Sequence, residues 1–123
     1  MKMKNSEIYG CAEKLVEFFQ DTTQRLPIKA NFYLQKNKEV LLKLAQEIEE
    51  SRNDIIKGYA DRVDDEHYAF DNTDNFTKAQ SELKDLLELE QEVQIYKINI
   101  NVFPDDIVLT TAQMEALMFM LEE

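Results

Sequence analysis

The 123-residue sequence predicts an α+β fold that is predominantly helical: a long antiparallel helical hairpin with a small β-sheet and flanking N- and C-terminal helices. Three observations lead there. Leu34, Leu41, Ile48 and Ile55 recur every seven residues, two short runs alternate apolar and polar side chains instead, and two Gly with two Pro leave few places for tight turns. At 44% hydrophobic the chain is too apolar to remain disordered, and its length suits a single domain over 1–123.

Ile8, Cys11, Ala12, Leu15, Val16 and Phe19 recur at three- and four-residue steps, which predicts a helix over 6–21 with Asn5 or Ser6 accepting from its first free amides. Cys11 on that apolar face reads as a small buried hydrophobe rather than a reactive thiol. Leu26, Ile28, Ala30 and Phe32 then alternate with Pro27, Lys29 and Asn31, predicting a strand over 26–32 whose end the start of the next helix could absorb. Pro27 has no amide to donate and suits an edge.

The seven-residue seam, with Leu44, Ala45, Arg52 and Tyr59 filling much of its second row, predicts a long helix from residue 33 onward. A rod of about 40 Å needs a partner. Gly58 and the polar stretch 61–75 end it, and Ala79, Leu83, Leu86 and Val93 resume a seam in which Glu90 is the misfit and Leu87 widens the stripe. Together these segments form the helical hairpin, 33–93. Tyr96, Ile98, Ile100 and Val102 alternate with Lys97, Asn99 and Asn101, predicting a strand over 94–102 that pairs with 26–32. Either a third strand, from 67–70 or 107–109, or cover by a helix is expected, because two strands alone are marginal. After Pro104, Asp105 and Asp106, Thr110 and Gln113 form a capping box before a helix over 111–122 bearing Met114, Leu117, Met118 and Leu121, widened by Phe119 and Met120 and therefore either packed into the core or partly exposed as a docking surface.

Several function classes lack their residues. No run of about eighteen apolar residues occurs, and Met1-Lys2-Met3-Lys4 leads into a polar helix start rather than a secretion signal, so a cytoplasmic protein is expected. One cysteine makes neither an intrachain disulfide nor a multi-cysteine metal site. Asn75-Phe76-Thr77 has the form of a glycosylation sequon but reads as a helix start. His67 beside Asp61, Asp64, Asp65 and Glu66 matches no metal-ligand spacing and reads as a solvated acidic loop. The run from Asp71 to Glu82 has the length of a calcium loop, but Phe76 stands where that loop requires Gly. Gly10 and Gly58 alone build no phosphate cradle, and no Ser/His/Asp or Cys/His set is present. The expectation is a protein that is not an enzyme, with no catalytic residues, cofactor or metal.

Charge is the remaining signal. The chain holds 14 basic and 25 acidic residues, net −11; residues 1–43 contribute eight and five, and residues 44–123 six and twenty. Such a surface repels nucleic acid and anionic membranes and favours basic protein partners. Glu82, Asp85, Glu88 and Glu92 lie three or four residues apart, as do Glu47, Glu50 and Asp54, which places each set along one helix side. Like charges at these steps cost a few tenths of a kcal/mol per pair, so the stripe does not serve helix stability. It reads either as a solvated face that aids solubility or as a partner-binding strip. In the second case it meets a Lys/Arg-lined groove and imitates a phosphate array.

Three stretches carry a family resemblance: Lys4-Asn5-Ser6-Glu7, the run Leu26-Pro27-Ile28-Lys29-Ala30-Asn31-Phe32, and Leu109-Thr110-Thr111-Ala112-Gln113-Met114-Glu115-Ala116-Leu117. With them the chain resembles a family of small phage and prophage proteins of Gram-positive bacteria that has no assigned function. The resemblance rests on pattern and transfers no site residues. It implies a phage origin, and with it either an accessory factor acting on the host or a virion-assembly role. Two functions follow as expectations. One is an inhibitor that binds a basic, nucleic-acid-handling host protein, such as a defence nuclease, through Glu47, Glu50, Asp54, Glu82, Asp85, Glu88 and Glu92. The other is a tail or virion structural protein, or assembly chaperone, that self-associates as a homo-oligomer or docks through Met114, Leu117, Met118, Phe119 and Met120.

Overall fold

In the computed structural model, which describes residues 1–21, 26–63, 68–104 and 106–122, the chain opens with strand β1 (Lys2–Lys4) and passes directly into helix α1 (Asn5–Asp21). Ile8, Ala12, Leu15 and Phe18 are buried along α1, while Cys11 and Phe19 flank them half-buried. Asn5 is buried and does not cap α1 in the expected way. Its Nδ2 donates to the Leu86 carbonyl at 2.7 Å and its Oδ1 accepts from Gln91 Nε2 at 2.8 Å. Glu7 Oε1 accepts from the Lys4 amide instead, at 3.2 Å.

Helix α2 runs from Ile28 to Tyr59, 32 residues, or about 48 Å. The strand expected over 26–32 is therefore absent, and this is the largest correction to the sequence reading. Ala30, Leu34, Asn37, Leu41 and Ile48 are its buried residues, so the four-residue step from Ala30 to Leu34 simply extends the seam backward. Ile28 and Phe32, expected beside Ala30 on one strand face, are exposed, because in a helix two residues turn the chain by about 200°. Alternation over seven residues fits both periods, and the longer repeat decides. Pro27 sits at the N-cap, where its missing amide costs nothing. Gly58 lies inside α2 and has no positive φ, so it does not end the helix.

Strands β2 (Arg62–Val63) and β3 (Tyr68–Ala69) form a short antiparallel ladder before α3 (Thr73–Glu88). Asn72 caps α3 by accepting from the Asp74 amide at 2.8 Å. Asn75-Phe76-Thr77 and most of the stretch compared with a calcium loop thus lie in a helix. Helix α3 ends at Glu88, not at 93, and Glu90–Glu92 form β4, antiparallel to β1. Glu90 broke the helical seam because it is not helical. It stands opposite Lys4, and Glu92 opposite Lys2, which are favourable cross-strand charge pairs.

Of the strand expected over 94–102, only Ile98–Asn99 (β5) is formed. Asn99 Oδ1 accepts from the Asn101 amide at 2.8 Å and curls the chain into a 3₁₀ turn at Ile100–Val102, a side-chain bond that competes with the ladder. Helix α4 (Thr111–Leu117) carries the predicted capping box in both directions, at 2.9 and 3.1 Å. It stops well short of 122: a 3₁₀ turn at Met118–Met120 leads to β6 (Leu121–Glu122), which pairs parallel with β5. The third-strand alternative is also corrected, since β3 pairs with β2 and 107–109 belong to no strand. His67 lies outside the described residues.

The helices α1, α2 and α4 and the segment around Val93 and Ile98 share one hydrophobic cluster. By contrast Ala79, the one buried residue of α3, is not part of it; α3 reaches the cluster through half-buried Leu86. Lys38 Nζ lies 4.9 Å from the Phe19 ring centroid and Tyr9 Oη donates to Glu49 at 2.8 Å, tying both ends of α1 to α2.

Candidate functional site

The predicted partner-binding residues all reach the surface. Glu47, Glu50 and Asp54 are exposed on α2, away from the buried Leu41 and Ile48. Glu82, Asp85 and Glu88 are exposed on α3. Among the described residues, Glu47, Glu50, Asp54, Asp85 and Glu88 pair with no cation. Asp85 and Glu88 stand in the last turn of α3, which holds no basic residue, so they face the negative end of the helix dipole. Both the like-charge spacing and this placement work against helix stability.

Two members of the expected strip are placed differently. Glu92 belongs to β4 rather than to a helix side, and its Oε1 accepts from the Met1 ammonium at 3.1 Å. Glu82 accepts from the Tyr59 hydroxyl at 2.6 Å, and that bond raises the Tyr59 pKa. Glu82 thus joins the end of α2 to α3 while remaining exposed.

Other carboxylates have structural partners. Glu49 accepts from Tyr9 and from Arg52, the latter at 3.1 Å. Burial, then the bond to Glu49, pushes the Tyr9 hydroxyl up to about 12. Asp61 organises the entry to α3: Oδ2 accepts from the Asp71 and Asn72 amides at 2.8 and 2.9 Å, and Oδ1 from Asn75 Nδ2 at 3.0 Å. The backbone bond from Asn72 leads the causes that hold its carboxyl below the ordinary value. Burial pushes the half-buried Cys11 thiol up, away from the reactive thiolate.

Of the two readings of the C-terminal segment, packing into the core describes more of it than an exposed docking surface does. Leu117 and Met120 are fully buried and Phe119 is half-buried, leaving Met114 and Met118 exposed. Beside them a cleft of about 390 Å³ is lined by Ile100, Phe103, Ile107, Leu109, Met114 and Leu117, among others. A second exposed apolar feature was missed because 26–32 was read as a strand: Ile28 and Phe32, four residues apart at the start of α2. The pairs Lys29/Tyr33 and Phe32/Lys36, also four apart, were the available signal for a helical face there.

Among the described residues no cluster of three or more His, Cys, Asp or Glu side chains is arranged to hold a metal ion, and no helix is long and apolar enough to cross a membrane. Asp64, Asp65, Glu66 and His67, weighed above as a metal set, lie outside the described residues. Compared with known protein-family models, curated proteins and solved structures, the chain matches none.

Proposed function

We propose that the protein is a non-enzymatic, cytoplasmic, phage-encoded accessory factor that binds a basic, nucleic-acid-handling host protein through its acidic helical surface. In this reading α2 and α3 fold back as two arms of one antiparallel hairpin. The Tyr59–Glu82 bond and the ties from Asp61 to Asn72 and Asn75 support that arrangement. The observation that carries the function is the contrast among carboxylates. Glu49, Asp71 and Glu92 have cations beside them, while Glu47, Glu50, Asp54, Asp85 and Glu88 are exposed without one among the described residues. A row of unpaired carboxylates at positions that cost the helices stability suits a partner that supplies the missing cations.

The test uses tagged protein and lysate of a Gram-positive host at low and high salt, beside a variant with those five residues changed to Gln or Asn. Capture of a basic protein that fails both at high salt and in the variant supports the reading, since exposed charge pairs are screened within about 3 Å at 1 M salt. Capture that survives both sinks it. The cleft beside Met114 favours a second reading, a virion-assembly protein that takes an apolar partner segment there. It predicts salt-resistant capture lost on Met114→Asp.

A further inference from the structure

We propose that the exposed start of α2 docks on the end of α3 in a second copy of this chain, so that copies join head to tail. Ile28 is 85% exposed and Phe32 55%, and their four-residue spacing puts them on one face of α2. Cations gather beside them: Lys36 Nζ lies 5.5 Å from the Phe32 ring centroid and Lys29 Nζ 6.0 Å from that of Tyr33. The end of α3 has the opposite character. Leu89, 59% exposed, projects just past its last turn, with the exposed carboxylates of Asp85 and Glu88 next to it and the negative helix terminus behind. One feature is an apolar anchor framed by ammonium groups, the other an apolar anchor framed by carboxylates. They are complementary in both sign and kind.

They do not meet within one molecule. Leu89 accepts from the Asn5 amide at 2.9 Å, and one turn further along α1 Tyr9 bonds Glu49 of α2. Glu49 lies 17 positions beyond Phe32 in the same helix, about 25 Å away. The pairing is therefore intermolecular. Because the two patches differ, each contact pairs unlike surfaces, and copies either run on in a chain or close, as a ring or as a twofold pair in which each copy gives one patch and takes the other. Each copy carries a net charge of −11, so long-range repulsion opposes association. The contact does not rest on the proposed host partner, although joined copies cover Asp85 and Glu88.

Sedimentation of the full chain at rising concentration tests it. The expected result is a mass that climbs above that of one copy. Phe32→Asp and Glu88→Lys each remove one patch at an exposed position, and circular dichroism verifies that both stay folded. Each alone is expected to weaken association by about tenfold or more. Mixed, they restore it, but only to a one-to-one dimer, because each then brings one intact patch. A wild-type chain that stays monomeric at submillimolar concentration overturns the proposal. Unchanged association in either variant, or a mixture that stays monomeric, also overturns it. Phe32→Asp leaves the acidic strip intact, so host-partner capture by that variant reports on the proposed function separately.

Discussion

The side-chain amide of Asn37 grips the peptide of Tyr96 from both sides: Nδ2 donates to its carbonyl at 2.9 Å and Oδ1 accepts from its amide at 2.7 Å. Asn37 is fully buried in the α2 seam, 3.4 Å from Met120 Sδ, and the Tyr96 ring stacks on Tyr33 at 5.6 Å. An extended segment inside a helical protein finds its backbone partners here on a helix side chain rather than on another strand. Asn37→Leu strips both bonds and strands two polar groups. We expect a loss of about 2–4 kcal/mol in urea unfolding, against less than about 0.5 kcal/mol for the exposed Gln35→Leu.

Helix α3 is expected to open before the rest of the molecule. Its buried Ala79 lies outside the main cluster, whereas α1 and α2 place eight buried side chains from Ile8 to Ile48 within it. Native-state hydrogen exchange should show α3 amides exchanging by local opening while the amides of Leu15 and Leu41 exchange only on global unfolding. Equal protection across the three helices would contradict this.

Asp61 gives the loop before α3 a pH dependence of known sign. Its folded pKa lies below the ordinary value of 3.8, so its stabilising contribution is present above that value and is lost as pH falls through the lower folded one. The Asp71 and Asn72 amides should lose protection over that acidic window. Asp61→Asn should weaken them at neutral pH and abolish the titration, as read by amide NMR.

Tyr9 should ionise near 12, followed by ultraviolet absorbance. Burial is the main cause and the bond to Glu49 the second, so Glu49→Gln should lower the value only part of the way toward 10.0. For stability, a raised pKa means a contribution intact below 10.0 and lost as pH climbs toward about 12.

Removing the acidic strip should not unfold the protein. Glu88→Lys replaces an unfavourable charge at the α3 C-terminus with a favourable one, and we expect a gain of about 0.3–1 kcal/mol in thermal or urea unfolding. Leu41→Ala, in the fully buried seam, should instead cost about 2–5 kcal/mol. If Glu88→Lys destabilises by more than about 1 kcal/mol, the carboxylate has a structural partner and the strip is not free for a ligand.

The sequence by itself determined what depends on neighbours a turn or two away. The α1 face, the seam through Leu34, Leu41 and Ile48, and the Thr110–Gln113 capping box were all legible, because helical contacts at three and four residues are written locally. So was the exposure of Glu47, Glu50, Asp54, Asp85 and Glu88, since charged groups keep their hydration unless paired. Only the tertiary structure decided where the short alternating runs went. Residues 28–32 joined α2 once no strand lay beside them, Tyr96 bonded to Asn37, Glu90 left the helical seam to face Lys4, and Glu92 left the acidic strip to face Lys2. A run of five to seven residues fits both periods, and its backbone bonds are settled by whatever group the rest of the chain brings within reach.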